Sequence, residues 1–88
     1  MQANVSIVFL NGVGQVEAEL IRNGNIIDMR ATDKTGTLQF PEVLDEDIIS
    51  LNGACTGNGE IIIDIPVLPP SPVNIQAGNF FLNFIVGK

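Results

Sequence analysis

Apolar and polar residues alternate through much of the chain, with the period of two that is typical of half-buried β-strands. The clearest example is Gln15–Leu20, in which Val16, Ala18 and Leu20 would face a core and the residues between them would face solvent. No segment shows helical periodicity over three turns. The pattern therefore predicts an all-β fold.

Further segments are rich in β-branched and aromatic residues and are bounded by Gly, Asn or Pro, which favours strands. They are Val5–Leu10, Ile26–Thr32, Thr37–Phe40, Ile48–Leu51, Glu60–Ile65 and Phe80–Val86. Asn52-Gly53 is expected to interrupt the strand that begins at Ile48. About seven short strands with turns between them predict an antiparallel β-sandwich. With no linker and no internal repeat, residues 1–88 should form a single domain.

Two turns organise the middle of the chain. Asn23-Gly24 accepts the positive φ angles of a type I′ turn, so the strands on either side should pair as an antiparallel hairpin. The stretch Ala31–Phe40 reads as a strand end, a tight turn and a new strand. Asp33 is expected to bond backbone amides ahead of it, and Gly36 to take the left-handed conformation. This stretch should therefore be a corner that sets the topology.

Pro66–Pro72 is the proline-rich part of the chain and cannot form a helix or a central strand. An extended crossover between strands is the favoured interpretation. A proline-motif ligand is less favoured because no cation lies nearby in the sequence.

Composition is informative mainly through what is scarce. Hydrophobic residues make up 45% of the 88 residues, enough for a globular core, but charged residues make up only 16%. An average domain has about 25% charged residues, so the surface here must rely on uncharged polar groups. Such a surface is common in secreted β-domains. We therefore expect an extracellular or cell-surface location, with any signal sequence already removed.

The net charge is −6, and only four residues are cationic, namely Arg22, Arg30, Lys34 and Lys88. These scattered cations cannot displace counterions along a phosphate backbone, which excludes a nucleic-acid partner. They also argue against docking on an anionic membrane. The first apolar run ends at Leu10 and is too short to span a bilayer, so membrane insertion is not expected.

The sequence gives little support for a catalytic site. The chain has no histidine, which removes the usual general base, the commonest metal ligand and every His-dependent triad. Gly12-Val13-Gly14 lacks the Lys-Ser/Thr of a phosphate loop. The single cysteine, Cys55, is expected to be a small buried hydrophobe, with an intermolecular disulfide as the less favoured alternative. Neither an enzyme activity nor a cofactor is expected.

The densest group of carboxylates is the connection that carries Glu42, Asp45, Glu46 and Asp47. A calcium ion would need several oxygen ligands from such a flexible loop. The segment lacks the alternating Asp/Asn and the Gly of a dedicated calcium loop. A solvated acidic connection is therefore the favoured interpretation, with a calcium site as the alternative.

The middle of the chain resembles a known pattern. Within Val16–Phe40, Val-x-Ala-x-Leu is followed by Asn-Gly and then by Ala-Thr-Asp-Lys-Thr-Gly-Thr-Leu-Gln-Phe. This order is similar to that of transthyretin-like (prealbumin-like) sandwiches, which include carboxypeptidase regulatory-like domains and the B-type repeats of Gram-positive surface adhesins. The resemblance implies a Greek-key, transthyretin-like sandwich with a structural or binding role.

The chain also departs from these relatives. The adhesin repeats often carry a self-formed isopeptide bond between a lysine near the first strand and an asparagine in the last. Asn83 lies in the last predicted strand, but no lysine lies in the first, so we expect no isopeptide bond. The hydrolase and hormone-binding sites of the transthyretin family need His and Arg clusters that are missing here. The resemblance therefore assigns no site residue.

The predicted terminal strands, Val5–Leu10 and Phe80–Val86, are apolar on both faces, whereas an ordinary sandwich strand alternates. Such strands are either central or covered by a partner, and both readings stay open. The side chains expected to meet a partner are Val5, Ile7, Val8, Phe9, Leu10, Phe80, Phe81, Leu82, Phe84 and Ile85.

These features favour a non-enzymatic structural or protein-interaction module of a cell-surface, secreted or particle assembly. It would work through strand edges and the apolar faces of its terminal strands. The expected partner is a protein, either a second copy or a neighbouring domain. The alternative is a module that binds a small molecule or carbohydrate through the polar loops around Asn52-Gly53 and Thr56–Gly59.

Overall fold

Nine β-strands form two antiparallel sheets that face each other in a computed structural model, which describes all 88 residues. The strands are β1 (Ala3–Phe9), β2 (Gly14–Arg22), β3 (Asn25–Thr32), β4 (Gly36–Phe40), β5 (Ile48–Cys55), β6 (Gly59–Ile63), β7 (Val67–Leu68), β8 (Val73–Ile75) and β9 (Gly78–Val86). One sheet has the order β4-β1-β6-β8 and the other β3-β2-β5-β9-β7. The predicted all-β sandwich is confirmed.

The core lies between the two sheets and consists of 18 buried apolar residues. The alternation predicted for the second strand is confirmed, since Val16, Ala18 and Leu20 are at most 2% exposed. The two largest fully buried side chains are Phe40 at the end of β4 and Phe84 in β9, one from each sheet. The strand period of two thus places one apolar face of each sheet against the other.

The hairpin predicted at Asn23-Gly24 is present. Asn23 has φ 53° and Gly24 has φ 79°, as a type I′ turn requires at both positions. β2 and β3 pair in antiparallel register, with Ile21 opposite Ile26 and an irregularity between Leu20 and Ile21. The local turn chemistry was therefore sufficient to predict this pairing.

The corner between β3 and β4 carries the chain from the five-stranded sheet to the four-stranded one. Two details of the prediction are wrong. Gly36 does not have a positive φ. The turn is held by Thr32 rather than Asp33, because the Thr32 Oγ1 accepts from the Lys34 amide and donates to the Lys34 carbonyl, both at 3.2 Å. A hydroxyl can replace the expected carboxylate because it both donates and accepts.

The strand β5 runs without a break through Asn52-Gly53, so the predicted interruption there is wrong. Both of its edges are paired, to β2 and to β9, and Gly53 lies opposite both Val16 and Phe80. A Cβ at Gly53 would collide with the Gln15 carbonyl oxygen and lie 2.7 Å from the Phe80 ring. Gly53 is thus required by close approach, not by a turn.

The proline-rich segment crosses between the sheets, as predicted. It contains the short strand β7, and the short strand β8 follows it directly. β7 forms the edge of the five-stranded sheet, and β8 forms the edge of the four-stranded sheet. Ser71 anchors the crossing, because its Oγ donates to the Ile63 carbonyl at 2.9 Å and accepts from the Ile63 amide at 3.1 Å. The Leu68–Pro69 and Ser71–Pro72 peptide bonds are cis.

Two glycine substitutions should have opposite effects on stability. Gly53→Ala should lower the free energy of unfolding by about 1–3 kcal/mol, because its methyl group meets fixed backbone. Gly36→Ala should be neutral or stabilising by up to about 1 kcal/mol, because the nearest atom to its Cβ is 4.0 Å away. Urea unfolding of both variants measures the difference. A large loss for Gly36→Ala would contradict this account of the corner.

Candidate functional site

A row of apolar side chains crosses the outward face of the five-stranded sheet. The register pairs Ile26 with Ile21, Ile21 with Ile48, Ile48 with Ile85 and Ile85 with Leu68. We call these five residues, one from each strand, the apolar row. With strands about 4.8 Å apart, the row is about 19 Å long.

Most of the apolar row is open to solvent. Ile26 is 56% exposed, Leu68 52% and Ile85 38%, and the two central isoleucines are half-buried between their neighbours. Met29, on the same face of β3, is also exposed. Isolated exposed apolar residues are ordinary on a protein surface, whereas a contiguous band is typical of a contact site.

The outward face of the four-stranded sheet is different. Its side chains are mostly polar, namely Asn4, Ser6, Thr37, Gln39, Glu60, Asp64 and Asn74. Ile62 is the one large apolar residue exposed there, at 38%, and Val8 is half-buried. The two outward faces therefore differ in polarity, and the contiguous apolar band lies on the five-stranded sheet.

The ten residues expected to contact a partner differ in how far the fold buries them. Val5, Ile7 and Phe84 are buried, and Phe9, Phe80 and Leu82 are half-buried and pack against the core. Val8 is half-buried on the outward face, and Leu10, Phe81 and Ile85 are exposed. β1 and β9 each have a neighbouring strand on both edges, so they are inner strands of their sheets. Of the ten, Ile85 alone belongs to the apolar row.

Sequence reasoning missed Ile21, Ile26, Ile48 and Leu68 as surface candidates. A signal for the first three was present, because each lies next to another apolar residue and so breaks the alternation. Ile21 follows the inward Leu20, Ile26 precedes Ile27, and Ile48 precedes Ile49. Such adjacent apolar residues send side chains to both faces of a strand. Their alignment in one row depends on the register between strands, which the pattern along the chain does not contain.

At the other end of the same face the sheet has a shallow groove with a volume of about 770 Å³. Its lining residues include the small side chains of Ala31 and Ala54 and the backbone of Gly53. The remaining lining residues are Gln15, Val16, Glu17, Thr32, Asp33, Asn52 and Asn79. The groove shares no residue with the apolar row, so this face presents two separate surfaces of different chemistry.

The polar side chains of the groove, Thr32 excepted, have no hydrogen-bond partner within the chain. No hydrogen bond joins Gln15, Glu17, Asn52 or Asn79 to another side chain or, through their side chains, to the backbone. Phe81, 66% exposed, lies opposite Asn52 on the neighbouring strand. The groove thus offers free donors and acceptors beside an open aromatic ring.

The loop around Thr56–Gly59, which the sequence also suggested for ligand binding, does not line the groove. It packs on the turn after β1 instead. The Thr56 Oγ1 accepts from the Val13 amide at 2.9 Å, and the Asn11 Oδ1 accepts from the Asn58 amide at 2.5 Å. The polar groups of this loop are therefore used to join two turns.

The acidic connection before β5 is not simply solvated, because Asp47 is only 2% exposed. Arg22 holds its carboxylate with two hydrogen bonds of 2.8 Å, from Nε to Oδ1 and from Nη2 to Oδ2. The Leu44 amide donates to Oδ2 at 2.9 Å. The hydrogen bonds from Arg22 lower the pKa of Asp47, and burial opposes this effect. The expectation of a solvated loop is thus wrong for Asp47.

The other carboxylates of this connection are more open. Lys88 Nζ lies 2.8 Å from Glu46 Oε1, and both side chains are largely exposed. The hydrogen bond from Lys88 lowers the pKa of Glu46. No group of three or more His, Cys, Asp or Glu side chains is placed to hold a metal ion.

Cys55 is buried at 6% exposure and is not disulfide-bonded, as its predicted role as a small hydrophobe implies. Its Sγ donates to the Gln76 carbonyl at 3.3 Å. The chain also contains no helix of a length and hydropathy that could cross a membrane.

Comparison with known proteins adds no assignment, since no family model, curated protein or solved structure matches this chain. The resemblance to transthyretin-like sandwiches therefore rests on the motif within Val16–Phe40 alone.

Replacing the buried carboxylate should weaken the fold and change its response to acid. The folded-state pKa of Asp47 lies below the ordinary value of 3.8, so its ionised form stabilises the fold above that pH. This contribution is lost as the pH falls through the folded-state pKa. Asp47→Asn should lower the free energy of unfolding at pH 7 by about 1–3 kcal/mol. It should also flatten the decline in stability between about pH 5 and pH 2.

Glu46→Gln is the matched control, because Glu46 is in the same loop and is also paired with a cation, but is exposed. It should leave stability at pH 7 unchanged within error, as exposed ion pairs contribute little. Urea unfolding across this pH range makes both measurements. Equal effects of the two substitutions would contradict the special role of Asp47.

The thiol of Cys55 should be protected in the folded chain. We expect its reaction with a thiol-specific disulfide reagent to be slow in buffer and to become fast in denaturing urea, since only the exposed thiolate reacts. Fast labelling of the folded chain, or a covalent dimer under non-reducing conditions, would contradict the burial of this residue.

Proposed function

We propose that this chain is a non-enzymatic protein-interaction module that associates with a second copy of itself through the apolar row. The observation that carries the proposal is the alignment of five apolar side chains across all five strands of one outward face. The other outward face has no such alignment, which makes the five-stranded face the better candidate.

Burial of the row would supply the driving force. Removing apolar surface from water stabilises a contact by about 25 cal/mol per Å². β-sheets pack readily face to face at about 10 Å, with side chains of the two faces interdigitating. The branched side chains of the isoleucines suit such packing because they lose little rotamer freedom when covered.

The symmetry of the row supports a second copy as the partner. A two-fold axis that lies along the row brings apolar row against apolar row, which is the self-complementary contact of an isologous dimer. The same axis places Glu19, on the same face of β2 as Ile21, on opposite sides of the row in the two copies. The carboxylates nearest to the contact would therefore not meet.

The dimensions of the molecule favour a weak dimer. Its longest extents are 34 and 21 Å, which bound the whole five-stranded face. A standard interface buries about 800 Å² on each partner, more than a row across part of that face can supply. The net charge of −6 per chain opposes association at low ionic strength. We therefore expect a dimer that forms in the micromolar range or above and tightens with salt.

The proposal includes the setting in which such a module would work. A low content of charged residues, 16%, and the motif similar to that of surface-adhesin repeats support a place in a cell-surface, secreted or particle assembly. Many copies held close together there would associate even with weak pairwise affinity, because the effective concentration is high.

Ile85→Thr should weaken self-association by about tenfold or more. Threonine keeps the β-branch of isoleucine, and so its preference for strands, while placing a hydroxyl in the proposed contact. The matched control is Ile62→Thr, since Ile62 has the same 38% exposure on the outward face of the other sheet. Sedimentation equilibrium of the intact chain measures the dissociation constant, from about 1 µM to about 1 mM.

The expected result is a dimer that weakens with Ile85→Thr and not with Ile62→Thr. A chain that stays monomeric over the whole range, at low and at high salt, would overturn the proposal. Equal weakening by the two substitutions would place the contact elsewhere. Thermal unfolding of both variants shows whether each remains folded.

A further inference from the structure

We infer that the groove at the other end of the five-stranded face is a binding site for an uncharged saccharide. The site would consist of the amide side chains of Gln15, Asn52 and Asn79, the carboxylate of Glu17 and the ring of Phe81. The site shares no residue with the apolar row, so saccharide binding and self-association can be tested independently of each other.

The shape of the groove follows from the small residues that line it. Gly53 contributes only backbone to the groove, because a Cβ there would point to the core side of the sheet, where Val16 and Phe80 lie. Ala31 and Ala54, also among the lining residues, keep the surface low on either side. The volume of about 770 Å³ lies within the range of small-molecule sites. The depression thus follows from the small outward side chains of β3 and β5.

The polar groups in the groove match the hydroxyl groups of a sugar. Each amide side chain supplies both donors and an acceptor, and each sugar hydroxyl can also donate and accept. Gln15, Asn52 and Asn79 make no side-chain hydrogen bond within the chain, in contrast to Asn4, whose Nδ2 donates to Asp64 at 2.7 Å. A bound saccharide could pair with these groups without breaking an internal contact.

The charge of the groove selects against anions. No lysine or arginine is among the lining residues, and two carboxylates, Glu17 and Asp33, are. Phosphates, sulfated sugars and uronic acids would meet like charge there without a compensating cation. Carboxylates accept hydrogen bonds from neutral hydroxyls, so an uncharged sugar fits where an acidic one does not.

Phe81 supplies the apolar part of the site. Its ring is 66% exposed and lies directly across the strand pair from Asn52. The backbone at Phe81 is held by pairing with β5, so the exposed ring lies at a defined place and can cover the C–H face of a sugar ring. Saccharides have such an apolar face together with hydroxyls at their edges, which matches a phenyl ring beside amides.

The test is a ¹H–¹⁵N NMR titration of the intact chain with cellotetraose, mannotetraose and maltotetraose, and with trigalacturonate as the acidic counterpart. Signals from the backbone amides of Gly53 and Ala54 and from the side-chain amides of Asn52 and Asn79 report on the groove. We expect at least one neutral tetrasaccharide to shift these signals in a saturable manner and trigalacturonate to leave them unchanged.

Asn52→Ala should weaken that binding by about threefold to tenfold, the equivalent of one hydrogen bond. Phe81→Ala should weaken it by a similar or greater factor through loss of the apolar contact. The matched control is Asn74→Ala, which removes an exposed asparagine with no side-chain hydrogen bond from the other sheet. It should leave binding unchanged.

Three results would overturn the inference. The first is the absence of shifts with every neutral sugar at about 10 mM, a concentration above the millimolar limit of weak specific binding. The second is that the shifted signals come from residues outside the groove. The third is that trigalacturonate binds as strongly as the neutral sugars. Repeating the titration with Ile85→Thr separates the two proposals, because groove binding should persist when self-association is weakened.

Discussion

The fold depends on one buried carboxylate that must be paired and hydrogen-bonded. Asp47 lies where the chain, coming from β4 of one sheet, enters β5 at the centre of the other. A carboxylate removed from water must be fully bonded, and this one is bonded by Arg22 at the end of β2 and by the Leu44 amide. The Asp47 carbonyl also accepts from Val86 in β9 at 2.8 Å. The residue thus joins the crossover to both strands that flank β5.

With β5 held between β2 and β9, the outward face of the five-stranded sheet is determined along its whole length. Near the Asp47 end the aligned residues are apolar and form the row that includes Ile48 and Ile85. Towards the other end they become small or polar, and the short side chains of Ala31 and Ala54 leave space for the groove. One register therefore produces two surfaces, which support different proposals: association of copies at one end and binding of a sugar at the other.

Much of the fold could be predicted because local chemistry determines it. The Asn23-Gly24 hairpin and the inward face of β2 follow from turn geometry and from the strand period. The errors came where a residue acts through distant contacts. Gly53 looked like a turn glycine but is needed for close packing, and the short strands β7 and β8 form only because an edge is available for pairing. The candidate surfaces were harder still, since only Ile85 and Phe81 of the predicted contact residues contribute to them.

The sequence by itself determined the class of fold, the hairpin, the corner between sheets and, through the lack of histidine and of clustered cations, the kinds of chemistry to expect. These properties depend on residue type and on neighbours a few positions away. The burial of Asp47, the alignment of the apolar row and the groove beside Phe81 were decided only by the tertiary structure. Each brings together residues far apart in the chain, and a shift of one residue in strand pairing would move every side chain to the other face.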